Sequence, residues 1–170
     1  MKELSPVDLN EIVARVKSEG KSRCVVWQDS ESIAFLSSGR KERRDFHIDP
    51  ADEVTLQLSG VQRLVYRTPE GSEHTAVIKA GQMLLCPGGV PHSPRLEEDS
   101  WFIVFERKRR PGEIDRFIWY CDRCQEKIHE AQAEVGDYRE DPVGQVYQAF
   151  YADETLRTCR KCGWVVPLPR

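Results

Sequence analysis

Two histidines and one glutamate of this sequence have the types and the spacing of metal ligands. His47 and Glu53 flank a tight turn at Pro50 between two candidate strands, so the chain can bring them side by side. His92 stands between two prolines, shortly after a Gly-Gly turn, where the backbone is stiff. Two imidazoles and one carboxylate form the facial triad that binds non-haem Fe(II) and leaves coordination positions open for substrate and oxygen. The spacing therefore predicts an open metal site.

The candidate strand that ends at His47 carries other charged residues on the same face. Arg43, Asp45 and His47 alternate along it, and side chains two residues apart on a strand point the same way. A guanidinium, a carboxylate and an imidazole make a poor hydrophobic core. This face is therefore expected to belong to a polar site.

Two cysteine pairs form a second candidate metal site. Cys121-x-x-Cys124 and Cys159-x-x-Cys162-Gly163 have the spacing of two knuckles that hold one metal ion through four thiolates. Both Zn and Fe suit this ligand set, and a site closed by four thiolates is expected to be structural. The alternatives are inert thiols or redox pairs, although the thioredoxin-like context that favours redox chemistry is absent.

The other histidines and cysteines are weaker candidates. His74 lies in a polar turn and is expected to be exposed. His129 could be a surface group or could contact one of the metal ligands. Cys24 and Cys86 lie inside candidate strands, where we expect them to be buried apolar side chains and not nucleophiles.

The remaining pattern must build the scaffold that holds these residues. Ser5 and Pro6 precede an amphipathic repeat through Val16, which predicts a helix with Ser5 as its N-cap, ended by Gly20. Turn residues then separate short apolar segments up to about residue 106, which predicts a mainly β sandwich or barrel. We expect strands at Cys24–Trp27, Ile33–Leu36, Arg43–His47, Val54–Leu58, Val61–Arg67, Thr75–Ile78, Met83–Cys86 and Trp101–Glu106, and a later strand opened by Pro91-His92.

Pro111 and Gly112 mark a change in composition. Beyond them the sequence carries the paired cysteines, a helical stretch at Val143–Tyr151 and a strand-like Trp164-Val165-Val166. We therefore expect a barrel with its N-terminal helix over residues 1–110 and a small metal-binding extension over residues 111–170.

Length and composition exclude several classes of protein. A chain of 170 residues with 39% hydrophobic and 31% charged residues is typical of one globular domain with a small appendage. The net charge is −3, and the densest basic cluster, Arg107–Arg110, is too short for a nucleic-acid surface. No window has the roughly 20 apolar residues of a membrane helix, and the N-terminus lacks the apolar region of a signal peptide. We expect a cytoplasmic protein that binds neither nucleic acid nor membrane.

Together these motifs resemble the bacterial-type 3-hydroxyanthranilate 3,4-dioxygenase family, a cupin barrel with a rubredoxin-like C-terminal site. The common cupin motif has another histidine where Asp45 stands here, so three protein ligands are expected instead of four. The resemblance covers nearly the whole chain. It is carried by Arg43-x-Asp45-Phe46-His47-x-x-Pro50-x-x-Glu53, Val90-Pro91-His92-Ser93-Pro94, Glu106-Arg107-x-Arg109, Pro111-Gly112-x-x-Asp115-Arg116, Trp119-Tyr120-Cys121-x-x-Cys124, Phe150-Tyr151-Ala152 and Thr158-Cys159-x-x-Cys162-Gly163.

The resemblance implies Fe(II) at His47, Glu53 and His92 and an extradiol-type ring cleavage. The implied substrates are 3-hydroxyanthranilate and O2, and the implied product is 2-amino-3-carboxymuconate semialdehyde. Such a reaction can serve tryptophan and kynurenine catabolism, NAD biosynthesis or the degradation of nitroaromatic compounds. A homodimer is also implied, and the edge strands of a cupin barrel make one plausible.

The resemblance also implies roles for charged residues around the triad. Arg43, with Arg95 as its partner, would bind the substrate carboxylate. Glu106 would accept the proton of the substrate hydroxyl, and Asp45 would orient a ligand or an arginine. An ion-pair network at the mouth of a barrel is the alternative interpretation of Arg43, Asp45 and Glu106.

Three departures from the family pattern concern the substrate more than the metal. Val54-Thr55-Leu56-Gln57 follows Glu53 where the family has aromatic residues, and Gly88-Gly89 precedes His92 where bulkier residues are usual. Arg95 comes one position earlier after His92 than in the family pattern. These departures leave open the same chemistry on another substituted 2-aminophenol or hydroxyanthranilate. A non-catalytic cupin that senses a small carboxylate, with the four-cysteine tail as a protein-interaction module, is the alternative from a different class.

Overall fold

The computed structural model describes residues 4–38 and 43–169. None of the helices in this described part is both long enough and apolar enough to span a bilayer. The elements are α1 (Leu9–Ser18), β1 (Arg23–Trp27), β2 (Ser32–Ser38), β3 (Asp45–Ile48), β4 (Glu53–Ser59), β5 (Val61–Arg67), β6 (Glu73–Lys79), β7 (Met83–Cys86), β8 (His92–Leu96), β9 (Trp101–Arg107), β10 (Asp115–Tyr120), β11 (Lys127–Ala133), a 3₁₀ helix (Tyr138–Glu140), α2 (Pro142–Ala152) and α3 (Glu154–Arg157).

Two antiparallel sheets form the body of the protein. One has five strands in the order β1-β2-β9-β4-β7, and the other has six in the order β11-β10-β3-β8-β5-β6. Inward-facing side chains alternate with half-buried ones along β4, where Glu53, Thr55 and Gln57 are buried. This alternation places polar residues in the interior between the sheets, so the fold itself positions a polar site.

Helix α1 covers the outer face of the five-stranded sheet. Its apolar residues pack against a core cluster of Ala34, Leu36 and Ile103. The predicted start at Ser5 and Pro6 is wrong, because the N-cap is Asp8, whose carboxylate accepts hydrogen bonds from the N–H groups of the next turn. The predicted end is confirmed by Gly20, which has a φ of +67° directly after the C-cap residue.

The eight strands predicted before residue 107 are confirmed, with ends shifted by at most two residues, and His92 opens β8 as expected. The helical stretch is confirmed as α2. Strands β10 and β11 were not predicted: β10 has three consecutive buried residues, Phe117, Ile118 and Trp119, and therefore lacks alternation. The strand expected at Trp164–Val166 is wrong, since only Val165 bridges to Thr158.

Strand β10 joins the C-terminal part of the chain to the barrel. It pairs with β3, so that Phe117 lies opposite His47 and Trp119 opposite Asp45. Helix α2 packs against side chains of β10, where Trp119 and Phe150 stack with ring centroids 4.1 Å apart. The division at residues 110 and 111 stays a prediction, and the extension contributes to the barrel interior through β10, the 3₁₀ helix and α2, from which Asp115, Tyr138 and Tyr147 line the cavity.

Candidate metal centre

Three strands bring His47, Glu53 and His92 together inside the barrel. His47 is in β3, Glu53 opens β4 and His92 opens β8, and the two histidines are directly paired across neighbouring strands. One donor atom of each residue lies within 4.8 Å of the other two, and all three side chains are buried. The structure thus assembles the predicted triad from both sheets, and its role as a ligand set stays a prediction.

Glu53 and His92 form a close pair, with 3.7 Å between Oε2 and Nε2. Burial raises the pKa of Glu53, but the hydrogen bond with His92 and the nearby positive groups outweigh it and lower the pKa to about 2. His92 Nδ1 lies 2.9 Å from the carbonyl oxygen of Val90. A proton on Nδ1 satisfies that carbonyl and leaves Nε2 directed at Glu53, as a metal ligand requires.

His47 is held on two sides by groups from β10. Its Nε2 lies 2.8 Å from Oδ2 of Asp115, and its ring stacks on Phe117 with centroids 4.7 Å apart. Arg109 in turn donates to both carboxylate oxygens of Asp115, from Nε at 2.6 Å and from Nη2 at 2.9 Å. Asp115 therefore fixes the orientation of the imidazole. Sequence reasoning gave Asp115 no role, although it lies in one of the motifs that carry the family resemblance.

Arg43 forms a bidentate ion pair with Asp45 beside the triad. Arg43 Nε and Nη2 donate to the two carboxylate oxygens at 3.1 and 2.9 Å. This ion pair fits both the orientation of an arginine and the ion-pair network given as the alternative, so the role of Asp45 stays a prediction. The hydroxyl of Tyr147, from α2, also donates to Asp45 at 3.0 Å. Tyr147 is a residue that sequence reasoning missed, because only the packing of α2 brings it here.

Glu106 lies opposite Glu53 on the neighbouring strand β9. Its Oε2 lies 3.3 Å from Arg109, while its buried Oε1 has no hydrogen-bond partner among the described residues. Tyr138 lines the same cavity, and its buried hydroxyl likewise lacks a partner within the described ranges. Burial and then Glu106 raise the pKa of Tyr138, so its hydroxyl stays a donor. A carboxylate and a phenol hydroxyl that interact with each other thus line the cavity side by side.

Arg95 does not reach the cavity. His92, Pro94 and Leu96 line it from β8, and Arg95 lies on the opposite face because side chains alternate along a strand. Its Cα is paired with Arg63 of β5. Arg95 is therefore absent from the cavity lining, as an odd interval from His92 along a strand requires, and its pairing with Arg43 as a carboxylate clamp stays a prediction.

The cavity has a volume of about 150 Å³, and all three residues of the triad line it. Its lining combines the three candidate ligands with Arg43, Glu106 and Tyr138. Its aliphatic and aromatic wall includes Phe35, Phe102 and Val104. A pocket with an apolar wall and a few convergent polar groups is typical of a binding site for a small molecule.

The four cysteines of the two knuckles meet outside the barrel. Their sulfur atoms lie within 4.8 Å of one another, and the Cys121–Cys162 and Cys124–Cys159 pairs are each 3.5 Å apart, too far for disulfides. Burial raises the pKa of Cys159, but the N–H groups of Cys162 and Lys161 outweigh it and lower the pKa to about 7. This donor set fits a tetrahedral metal with no open position.

The other histidines and cysteines match their expected surroundings in most respects. His74 is exposed, although it lies in β6 and stacks on Tyr66 instead of lying in a turn. His129 is half-buried against Trp119. Cys86 is buried, whereas Cys24 is only half-buried.

Comparison with known proteins gives one family. The sequence model described as "3-hydroxyanthranilic acid dioxygenase" matches residues 7–151. Proteins named 3-hydroxyanthranilate 3,4-dioxygenase from Bacillus cereus (strain ATCC 10987 / NRS 248) and Ruegeria pomeroyi are 37% and 39% identical to this chain. Each match spans 84% of this chain, and 79% and 78% of the respective relative.

Solved structures share the fold at lower identity. Protein NMB1881 from Neisseria meningitidis aligns with 61% of this chain and all of its own, with a TM-score of 0.51 and 18% identity. A cupin-2 domain containing protein from Shewanella frigidimarina aligns with 60% of this chain and 94% of its own, with a TM-score of 0.46 and 19% identity. The two antiparallel sheets, the few helices and the four-cysteine cluster confirm the predicted mainly β fold class with a C-terminal cysteine site.

Proposed function

This chain belongs to the 3-hydroxyanthranilic acid dioxygenase family, and we propose that it cleaves the ring of 3-hydroxyanthranilate with O2. One ring carbon–carbon bond beside the hydroxyl breaks, both oxygen atoms enter the product, and 2-amino-3-carboxymuconate semialdehyde results. The observation that carries the proposal is the buried triad of His47, Glu53 and His92 in a small cavity that also contains Arg43.

The donor set supports Fe(II) at the triad. Two imidazoles and one carboxylate are three donors on one side of the cavity, and the described residues add no fourth donor within the same 4.8 Å group. When bound there, Fe(II) supplies open positions for substrate and oxygen and the redox chemistry that couples an aromatic ring to O2. At the tail site, Zn or Fe on the four cysteines would hold the fold and take no part in the reaction.

The chain's own residues orient the substrate and handle its proton. Arg43 would bind the substrate carboxylate through its guanidinium, since this side chain lines the cavity beside the triad. Glu106 would take the proton of the substrate hydroxyl at Oε1, the buried oxygen that has no partner among the described residues. Asp45 and Asp115 would hold Arg43 and His47 in place. The buried walls exclude water from the reacting ring.

The position of Arg95 favours a second candidate substrate class. With Arg95 turned away from the cavity, Arg43 would hold the carboxylate without that partner, so another substituted 2-aminophenol is also a candidate. A non-catalytic sensor of small carboxylates is less well supported, because such a site has no need of an open redox metal. The relatives, which are named as dioxygenases, also favour the enzyme.

Partners and assembly follow from the same proposal. A small aromatic substrate and O2 would be the partners, and a cytoplasmic homodimer would be the working form. The edge strands β6 and β7 support a dimer, since Val77, Met83 and Leu85 are exposed there. We keep the barrel at residues 1–110 and the extension at residues 111–170 as proposed parts. Light scattering at two concentrations would measure the mass of the assembly.

A turnover assay tests the function. The protein is loaded with Fe(II) without oxygen, then mixed with 3-hydroxyanthranilate in aerated buffer, while oxygen uptake and the near-ultraviolet absorbance of the semialdehyde are recorded. Equal amounts of oxygen consumed and product formed would support the proposal. Uptake with 2-aminophenol alone would favour the second substrate class, and no uptake with any aminophenol would contradict both enzyme functions.

A further inference from the structure

The guanidinium of Arg43 has two edges that can each bind a carboxylate, and Asp45 occupies one of them. Arg43 Nε and Nη2 face the oxygens of Asp45, at 3.1 Å from Oδ1 and 2.9 Å from Oδ2. At the other edge, formed by Nη1 and Nη2, Nη1 has no hydrogen bond to a described residue, and Arg43 lines the cavity where a ligand could bind this edge. The orientation of Arg43 therefore depends in part on the groups that hold Asp45.

Tyr147 contacts both members of this ion pair. Its hydroxyl donates to Oδ2 of Asp45 at 3.0 Å, and its ring lies under the guanidinium of Arg43, with 5.5 Å from the centroid to Cζ. Asp45 is only 2% exposed, so water cannot easily replace the tyrosine hydroxyl. One side chain of α2 thus contacts an ion pair that lies more than 100 positions earlier in the chain.

The place of Tyr147 is itself well determined. Its ring meets Phe117 and Trp119 edge to face, with centroids 6.2 and 6.4 Å apart. Phe117 also stacks on His47. Tyr147 is therefore packed against β10, the strand whose Phe117 also stacks on His47. The same strand thus contacts both the tyrosine and the candidate metal ligand.

We infer that Tyr147 is a positioning residue for carboxylate recognition, which holds Asp45 so that Arg43 presents its free edge to the substrate. The inference rests on the proposed function, because it assigns the carboxylate of a ring substrate to Arg43. It also makes α2 part of the substrate site. A substrate that carries a carboxylate should depend on Tyr147, and one without a carboxylate should not.

The test is Tyr147→Phe, which keeps the ring and removes the hydroxyl. We expect KM for 3-hydroxyanthranilate to rise about tenfold, which corresponds to losing one hydrogen bond to a charged group. We expect KM for 2-aminophenol and kcat for both substrates to change less than about twofold. The matched control is Tyr151→Phe, which removes a hydroxyl one turn further along the same helix and outside the cavity lining. It should leave both KM values unchanged.

A double-mutant cycle with Asp45→Asn distinguishes an effect of Tyr147 through Asp45 from a general loss of packing around the cavity. If Tyr147 acts through Asp45, the double variant should bind 3-hydroxyanthranilate no more weakly than Asp45→Asn alone. An equal rise of KM for both substrates, no rise at all, or additive effects in the double variant would overturn the inference. Circular dichroism and thermal unfolding show whether each variant is folded, and the cycle is read from folded variants.

Equilibrium binding distinguishes this inference from the proposed function. Calorimetry without oxygen measures the affinity of the metal-loaded protein for 3-hydroxyanthranilate and for 2-aminophenol. About tenfold weaker binding of the carboxylated ring alone to Tyr147→Phe, in a protein that turns over no aminophenol, would support the inference and reject the function. Turnover by the wild type with equal binding to wild type and variant would reject the inference and keep the function.

Discussion

The two metal centres that the sequence predicts, the triad and the cysteine cluster, are built in opposite ways. The triad of His47, Glu53 and His92 draws on three strands in two sheets, is fully buried and faces a cavity. The cysteine cluster is made by two short knuckles, and its members range from buried to exposed. Three donors beside a cavity leave room for chemistry, whereas four thiolates complete the coordination shell. The first centre therefore depends on the whole barrel and the second on local turns.

His47→Ala should have the largest effect of these variants, and it should affect only the triad in the barrel. It removes one of three donors, so we expect loss of iron binding at the triad and loss of ring cleavage. The cysteine cluster should keep its metal, since it shares no residue with the triad. Metal analysis per chain would check this, and loss of both metals would contradict two separate centres.

Cys159→Ser should affect the cysteine cluster instead of the triad. Loss of a structural metal is among the few changes that cost roughly 4 kcal/mol or more, so we expect a clearly lower melting temperature. The triad should still bind iron when the variant is assayed well below its transition. Calorimetric unfolding combined with metal analysis measures both effects. A variant with normal stability would argue that the four thiolates carry no metal.

Asp115→Asn probes how far the barrel centre depends on residues beyond its donors. The amide keeps the size of the side chain but loses the charge that binds Arg109 and His47. We expect iron affinity at the triad to fall about 10- to 100-fold, as for other groups that orient metal-bound histidines. Competition with a coloured chelator would measure it, and unchanged affinity would mean that Phe117 alone holds the imidazole.

Arg95→Ala should have the smallest effect of the four. Its side chain lies on the face of β8 away from the cavity, so we expect KM for 3-hydroxyanthranilate to change less than about twofold. Arg43→Ala is the matched comparison, and truncation of a charge partner of this kind should raise KM about 30-fold or more. Steady-state kinetics decides between them. Similar increases for both variants would restore the carboxylate clamp that the sequence suggested.

Short-range spacing carries most of what the sequence could predict. His47 and Glu53 across a turn, and each Cys-x-x-Cys pair, are close in space because they are close in the chain. Asp115 and Tyr147 reach the site only through the register of β10 with β3 and the packing of α2, neither of which has a local signal. The position of Arg95 was predictable in principle, since an odd interval from His92 puts it on the other face of a strand.

The most direct test of the central claim is a titration of the triad with Fe(II). The protein is prepared with its tail metal intact and no iron in the barrel, and oxygen uptake with 3-hydroxyanthranilate is measured after each addition. We predict that the rate rises in proportion to the added iron and stops at one Fe(II) per chain, with no rise for His47→Ala. Full turnover before any iron is added, or an equal response from His47→Ala, would contradict the account.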